Sequence, residues 1–118
     1  MTRRLIYHII TRADWEKAQQ LGVYRAPSLE SEGFIHCSTR DQVLNTAERY
    51  YKGVEDLYLL NIDIAGLDHE IRFEDTSGHG SLFPHVYGPV PLKAVAAVVR
   101  FTPRADGLFD WPADALTE

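Results

Sequence analysis

From Gly53 onward the chain has no segment whose apolar residues recur at helical spacing over the length of a crossover helix. Its second half reads as strands: Leu57–Ile64, Ile71–Glu74, a stretch around Leu82–Pro89, and Ala94–Phe101. The helical patterns come earlier, so the strands cannot all be separated by crossover helices. That order implies an α+β fold.

The first strand, Leu5–Thr11, is apolar on both faces except for His8, which predicts a central strand covered on both sides. Thr11-Arg12-Ala13-Asp14 has capping-box spacing and starts a helix in which Trp15, Ala18 and Leu21 recur on one face, with Gly22 as its stop. Residues Val23 to Ser31 read as a loop broken by Pro27, long enough to fold over a cleft, with Glu30 and Glu32 solvated. Thr39, three residues before Gln42, is the expected cap of a second helix. Its apolar stripe would be Val43, Leu44, Ala47, Tyr50 and Tyr51, ending at Gly53. Pro84 predicts that Leu82–Pro89 forms an edge, a bulge or an irregular strand. Asp75–Ser81 is expected to be an exposed, mobile loop, with His79 and the more distant His69 as exposed loop residues. A helical turn is expected at Pro91–Lys93.

The chain of 118 residues is of single-domain size, with a core from about residue 5 to 101 and a polar tail over 102–118. Phe109 and Trp111 are expected to dock that tail, since two large aromatics would otherwise lie exposed. A net charge of −5 makes nucleic acid an unlikely partner, because that surface requires a positive field. No stretch approaches the length of a membrane span. The apolar run near the start is short and broken by Arg12 and Asp14, which does not fit a signal peptide. One cysteine, Cys37, allows no intramolecular disulfide. A cytoplasmic location is the expectation.

The chemistry concentrates in Glu32-Gly33-Phe34-Ile35-His36-Cys37-Ser38-Thr39, a strand running into a helix start. Alternation puts Phe34, His36 and Ser38 on one face, and Ile35 and Cys37 on the other. An imidazole and a hydroxyl then lie next to a helix N-terminus, whose unpaired N–H groups favour phosphates and carboxylates. Cys37 reads as a small buried thiol without reactivity. His8 on the first strand and His85 with Tyr87 on the Pro84 stretch are further polar interruptions of apolar faces. Convergence of these groups from separate strands would build a pocket, with Glu70, Glu74 and Asp75 as acidic candidates. His8, His36, His85 and Glu74 are suitable metal ligands by type, but none is paired at two- or four-residue spacing. No metal is predicted.

Ile6-Tyr7-His8-Ile9, Trp15, Gly33-Phe34-Ile35-His36-Cys37-Ser38-Thr39 with Gln42, and Phe83-Pro84-His85-Val86-Tyr87-Gly88-Pro89 with Ala94-Val95 together resemble a bacterial family of unknown function. It is number 952 in the domain-of-unknown-function series, and the likeness spans about residues 5 to 98. That family is similar in fold to the ADP-ribosyltransferases, with a split, strongly bent pair of small sheets and helices outside. His8 looks like the ribose-contacting histidine of that superfamily's first motif. The Gly33–Thr39 stretch, with Tyr50 and Tyr51 in the helix after it, resembles the second motif. Ile35-His36-Cys37-Ser38 is similar to the His-x-His-Leu-Ser stretch of the RNA 2′-phosphotransferases, with Phe34 in place of the first histidine. Where such transferases carry a glutamate, this chain has His85 and Tyr87, while Glu74 lies one strand earlier.

The resemblance implies an enzyme acting on NAD, ADP-ribose or a related phosphorylated nucleotide, with a non-catalytic nucleotide-binding module as the alternative. His36, His85 and Tyr87 would carry the chemistry. His8, Ser38 and Thr39 would hold ribose hydroxyls and phosphate.

Overall fold

The computed structural model describes residues 4–76, 78 and 80–118, and the expectation for His79 falls outside them. In chain order the elements are β1 (Leu5–Thr11), α1 (Arg12–Leu21), β2 (Val23–Tyr24), α2 (Pro27–Ser31), β3 (Ile35–His36), α3 (Val43–Tyr51), β4 (Leu57–Asp63), β5 (Ile71–Glu74), β6 (Phe83–Val86), β7 (Val90–Pro91) and β8 (Val95–Phe101). Short 3-10 turns at Ile64–Gly66 and Leu92–Ala94 lead out of β4 and into β8. The fold is α+β, and the strand pairings are antiparallel: sheets β1-β4-β8 and β3-β6-β5, and the small pair β2-β7. Among the described residues no helix is long and apolar enough to cross a membrane.

Two cores lie on opposite faces of the β1-β4-β8 sheet. One joins that sheet to the second, packing Ile6, Ile10, Leu60 and Ile62 against Ile35, Cys37 and Val86 under α1 and the 23–31 segment. The other packs Leu5, Tyr7, Leu57, Leu59 and Phe101 under α3 and the C-terminal segment. The β3-β6-β5 sheet turns Ile35 and Val86 into the first core; its other, open face carries the exposed His36 and Arg72, with His85 covered by Phe34. The two sheets meet where the chain leaves β3: Ser38 N–H donates to the Tyr7 carbonyl (2.7 Å), and Tyr7 N–H to the Ser38 carbonyl (2.8 Å).

Some signals confined to a few neighbouring residues are realised. Thr11 caps α1 by accepting the Asp14 N–H at 3.1 Å, and Gly22 ends it at φ +79°, a conformation cheap only for glycine. Several expectations are corrected. The loop over 23–31 holds β2, which pairs with Val90–Pro91, and α2, which Pro27 starts rather than breaks because its ring presets helical φ at N1. β1 has both faces buried but is an outer strand. The centre is β4, where Leu59, Leu60, Asn61 and Ile62 are all fully buried.

The helix expected after Thr39 is α3, and it begins at Val43. Gln42 Oε1 accepts the Thr39 N–H (3.0 Å), and the Gln42 main-chain N–H returns to the Thr39 carbonyl (3.0 Å), closing a turn before the helix. Tyr50 leaves the apolar stripe and is 66% exposed.

The Pro84 strand is neither edge nor bulge. β6 is the central strand of its sheet, with Pro84 buried. The Pro84 carbonyl accepts the Cys37 N–H at 3.0 Å, so the proline's missing donor falls where β3 is already turning away to Tyr7, and the ladder loses little.

The tail is polar in composition but contributes to the second core. Phe109 is buried and stacks on Phe101 (centroids 4.5 Å apart, planes 20° apart), and Trp111 meets Tyr7 edge-on at 5.1 Å. The buried amide of Asn61 anchors the segment by accepting the Leu116 N–H at 2.7 Å, while Tyr7 donates its hydroxyl to the Leu116 carbonyl at 2.6 Å.

Candidate functional site

The polar residues gather on the open face of β3-β6-β5. Antiparallel register sets His36 opposite His85 and Arg72 opposite His85 on the other side. Alternation then brings Phe34, Tyr87 and Glu74 to the same face. Ile35, Val86, Ile71 and Phe73 take the reverse face, of which Ile35 and Val86 are fully buried.

At the centre is Glu74. Its Oε1 accepts a hydrogen bond from His85 Nδ1 at 2.9 Å and from the Tyr87 hydroxyl at 2.5 Å. These two bonds hold the Glu74 carboxyl below the usual carboxylate range, the Tyr87 bond contributing most, and the carboxylate in turn raises the Tyr87 phenol. A carboxylate can only accept, so Nδ1 of His85 carries the proton, and in the neutral ring Nε2 is the basic atom. His85 is almost fully buried, stacked under Phe34 with centroids 4.1 Å apart and planes 20° apart. Phe34 also touches the His36 ring (4.9 Å) and the Tyr87 ring (5.3 Å).

His36 lies 5.2 Å from His85, ring centre to ring centre. It is exposed, and its Nε2 donates to Glu32 Oε2 at 2.9 Å. The face thus carries two imidazoles side by side, each oriented by its own glutamate. Arg72 closes one flank, with its guanidinium 4.5 Å over the Tyr87 ring and 3.0 Å from Glu70. Of the two rings His36 is the one open to solvent, while His85 lies beneath Phe34.

His8 reaches this cluster only through the main chain. The residue adjoins the outer edge of β3, donating from Nδ1 to the His36 carbonyl at 2.6 Å and accepting from the Tyr24 hydroxyl at Nε2 (2.8 Å). Both ring nitrogens are committed. Burial drives the imidazole down to about 4, so it is neutral near pH 7. Ser38 and Thr39 are not brought to the cluster. Ser38 is buried with its hydroxyl 3.3 Å from Thr46 of α3, and Thr39 belongs to the turn before that helix. His69 is an exposed residue.

Cys37 is buried on the core side, and burial pushes its thiol up to about 12. Among the described residues no three His, Cys, Asp or Glu side chains are placed to hold a metal ion.

Glu32 and Phe34 were legible only in part. Strand alternation puts Phe34 beside His36, but nothing local distinguishes Glu32 from a solvated glutamate. Glu74 stood among the acidic candidates, and its reach to His85 depends on the β5-β6 register. Two cavities, of about 530 and 460 Å³, lie elsewhere: one at the start of β1, one beside β8 and the 110–114 segment. Neither is lined by the histidines.

A family model described as a protein of unknown function, DUF952, matches residues 9–98. The crystal structure of protein CC0527 from Caulobacter crescentus is similar at 31% identity and a TM-score of 0.81, covering 91% of this chain and 94% of that one. The solution NMR structure of CC0527 gives 32% identity and a TM-score of 0.77, covering 88% and 90%. No curated protein matches. With most of its length matched by the family model and aligned with CC0527, the chain belongs to the DUF952 family of proteins of unknown function.

Proposed function

We propose that this protein binds a phosphorylated nucleotide on the open face of the β3-β6-β5 sheet and acts on it by proton transfer at His36 and His85, with NAD or ADP-ribose as the expected ligand. The observation that carries this reading is the grip of Glu74 on both His85 and Tyr87. It supplies, from the neighbouring strand, the carboxylate that transferases of the ADP-ribosyltransferase-like fold place on the strand itself. An ADP-ribosyltransferase-like arrangement is part of the same reading. It is supported by two three-stranded antiparallel sheets meeting at the Tyr7–Ser38 bridge, with His8 on the first strand. Glu32, Glu70 and Glu74 make the face acidic, which suits the positively charged nicotinamide–ribose end of NAD. Arg72 is the cation there for a phosphate. The reading places the protein in the cytoplasm, where a lone thiol stays reduced.

A non-catalytic nucleotide-binding module is the second reading. It is favoured by the exposure of the His36 and Glu32 side chains, 48% and 47%, because proton transfer gains most where water is excluded. One experiment separates the two: thermal shift with NAD, ADP-ribose and mononucleotides, followed by turnover of any ligand that stabilises the protein. The enzyme reading expects Glu74→Gln and His36→Ala to cut turnover by about a hundredfold or more while ligand-induced stabilisation persists. Stabilisation without turnover establishes the module. If no nucleotide raises the melting temperature, both readings fall.

A further inference from the structure

The 530 Å³ groove at the start of β1 is a different place from the histidine cluster. Ile71 and Phe73, which line it, occupy the opposite face of β5 from Arg72 and Glu74. Its volume is in the range of small-molecule sites. One wall is apolar, formed by Ile6, Ile64, Ile71 and Phe73, and Phe73 stands 48% exposed there. The other wall carries Arg4 and Arg40. Neither arginine has an ion-pair partner among the described residues, and Arg40 lies with its guanidinium 3.9 Å over the Trp111 ring.

Between these walls runs the outer edge of β1. Along that edge Tyr7 N–H is taken by Ser38, and Leu5 N–H by the Glu118 side chain at 2.7 Å. A carboxylate already occupies the main-chain donor at the mouth of the groove. It is an exposed side chain, held by this one hydrogen bond and with no cation within ion-pair distance among the described residues.

We infer that this groove is a binding site for a small organic monocarboxylate with an apolar body, and that Glu118 occupies its carboxylate position. The apolar part lies against Phe73 and Ile71. The carboxylate displaces Glu118 from Leu5 N–H, in a groove whose lining also carries Arg4 and Arg40. Among the described side chains that line the groove, two guanidiniums then face one carboxylate, Asp41, which favours a monoanion over a neutral ligand. Charge-assisted bonds to a guanidinium and a main-chain N–H are the stronger kind, and the apolar wall gives the affinity a body to act on.

The test uses phenylbutyrate and its uncharged amide, phenylbutyramide, added to the whole chain and followed by the amide NMR spectrum. Phenylbutyrate at millimolar concentration should shift Leu5, Arg40 and Phe73 and leave His36 and His85 unmoved, while phenylbutyramide shifts none of them. Glu118→Gln removes the competing charge and should tighten phenylbutyrate binding several-fold. Arg4→Gln and Arg40→Gln should each weaken it several-fold, through the loss of a positive charge from the groove lining. Two arginine variants are used because Arg40 also packs on Trp111; Arg4 has no such contact. Equal binding of acid and amide, shifts confined to the histidine face, or no binding even to Glu118→Gln would overturn the assignment. None of these outcomes bears on the nucleotide reading, which concerns the other face of the sheet.

Discussion

His8 and His85 interrupt apolar strands in the same way but end in different chemistry, because their partners differ. His85 donates to a carboxylate, which fixes its tautomer and leaves Nε2 as the acceptor. His8 lies between a carbonyl and a phenol, two groups satisfied by the neutral ring. Its folded value of about 4 lies below the ordinary histidine value of 6.5. For a depressed histidine the unfolded chain takes up the proton first as pH falls. The stability tied to neutral His8 is therefore complete above about pH 6.5 and is lost as pH falls toward 4. A shift of this size corresponds to roughly 3 kcal/mol. Urea unfolding of the wild type and His8→Gln across that window should show a steeper acid loss in the wild type; parallel curves would remove His8 as the source. Alternation in Gly33–Ser38 was enough to separate His36 from Cys37 and to put Phe34 beside His36. It could not show that His8 meets His36 by its carbonyl, because that depends on how two sheets join at Ser38.

At the scale of elements, some features set by adjacent residues were legible in the sequence, though the Thr39–Gln42 spacing closed a turn and not a helix cap. Thr11 and Gly22 bound α1 by their own side chain and φ angle, and the alternation of Ile71–Glu74 divided the faces of β5 correctly. Features that depend on distant partners were not. Val23–Tyr24 is a strand only because Val90–Pro91 lies beside it, and Pro84 sits mid-sheet only because β3 departs at that point. The C-terminal segment is the same kind of case. Its composition is polar, yet Phe109 fills the space over Phe101, and Asn61 and Tyr7 bind its backbone. Phe109→Ala should destabilise the protein by about 3 kcal/mol, as for other buried aromatic truncations, measured by denaturant unfolding. Asn61→Ala should also be destabilising, since it leaves the Leu116 N–H without its acceptor. If both variants unfold with the wild type, the segment is an appendage and not part of the core.

Across the whole molecule the two three-stranded sheets are unequally supported, and this bears on where ligands can act. The β1-β4-β8 sheet is buried on both faces along β1 and β4, with Ala96, Val98 and Arg100 of β8 exposed, and its strands are seven residues long. The β3-β6-β5 sheet has one buried face, a two-residue edge strand in β3, and a four-residue edge strand in β5 whose Phe73 is half exposed. Fewer buried contacts per hydrogen bond mean a lower free energy of local opening. Native-state hydrogen exchange should therefore find amides of β4 exchanging only through global unfolding, and the paired amides of β5 through a smaller opening at lower free energy. A ligand that bridges β3, β5 and β6 on the open face binds only while that sheet is closed, so it should raise the protection of β5 by its binding free energy. At saturating ligand the gap between β5 and global unfolding should stay constant, because both openings release the same ligand. Equal opening free energies for β4 and β5 in the free protein would show the two sheets to be one cooperative unit. The open face would then have no local flexibility for a nucleotide to suppress.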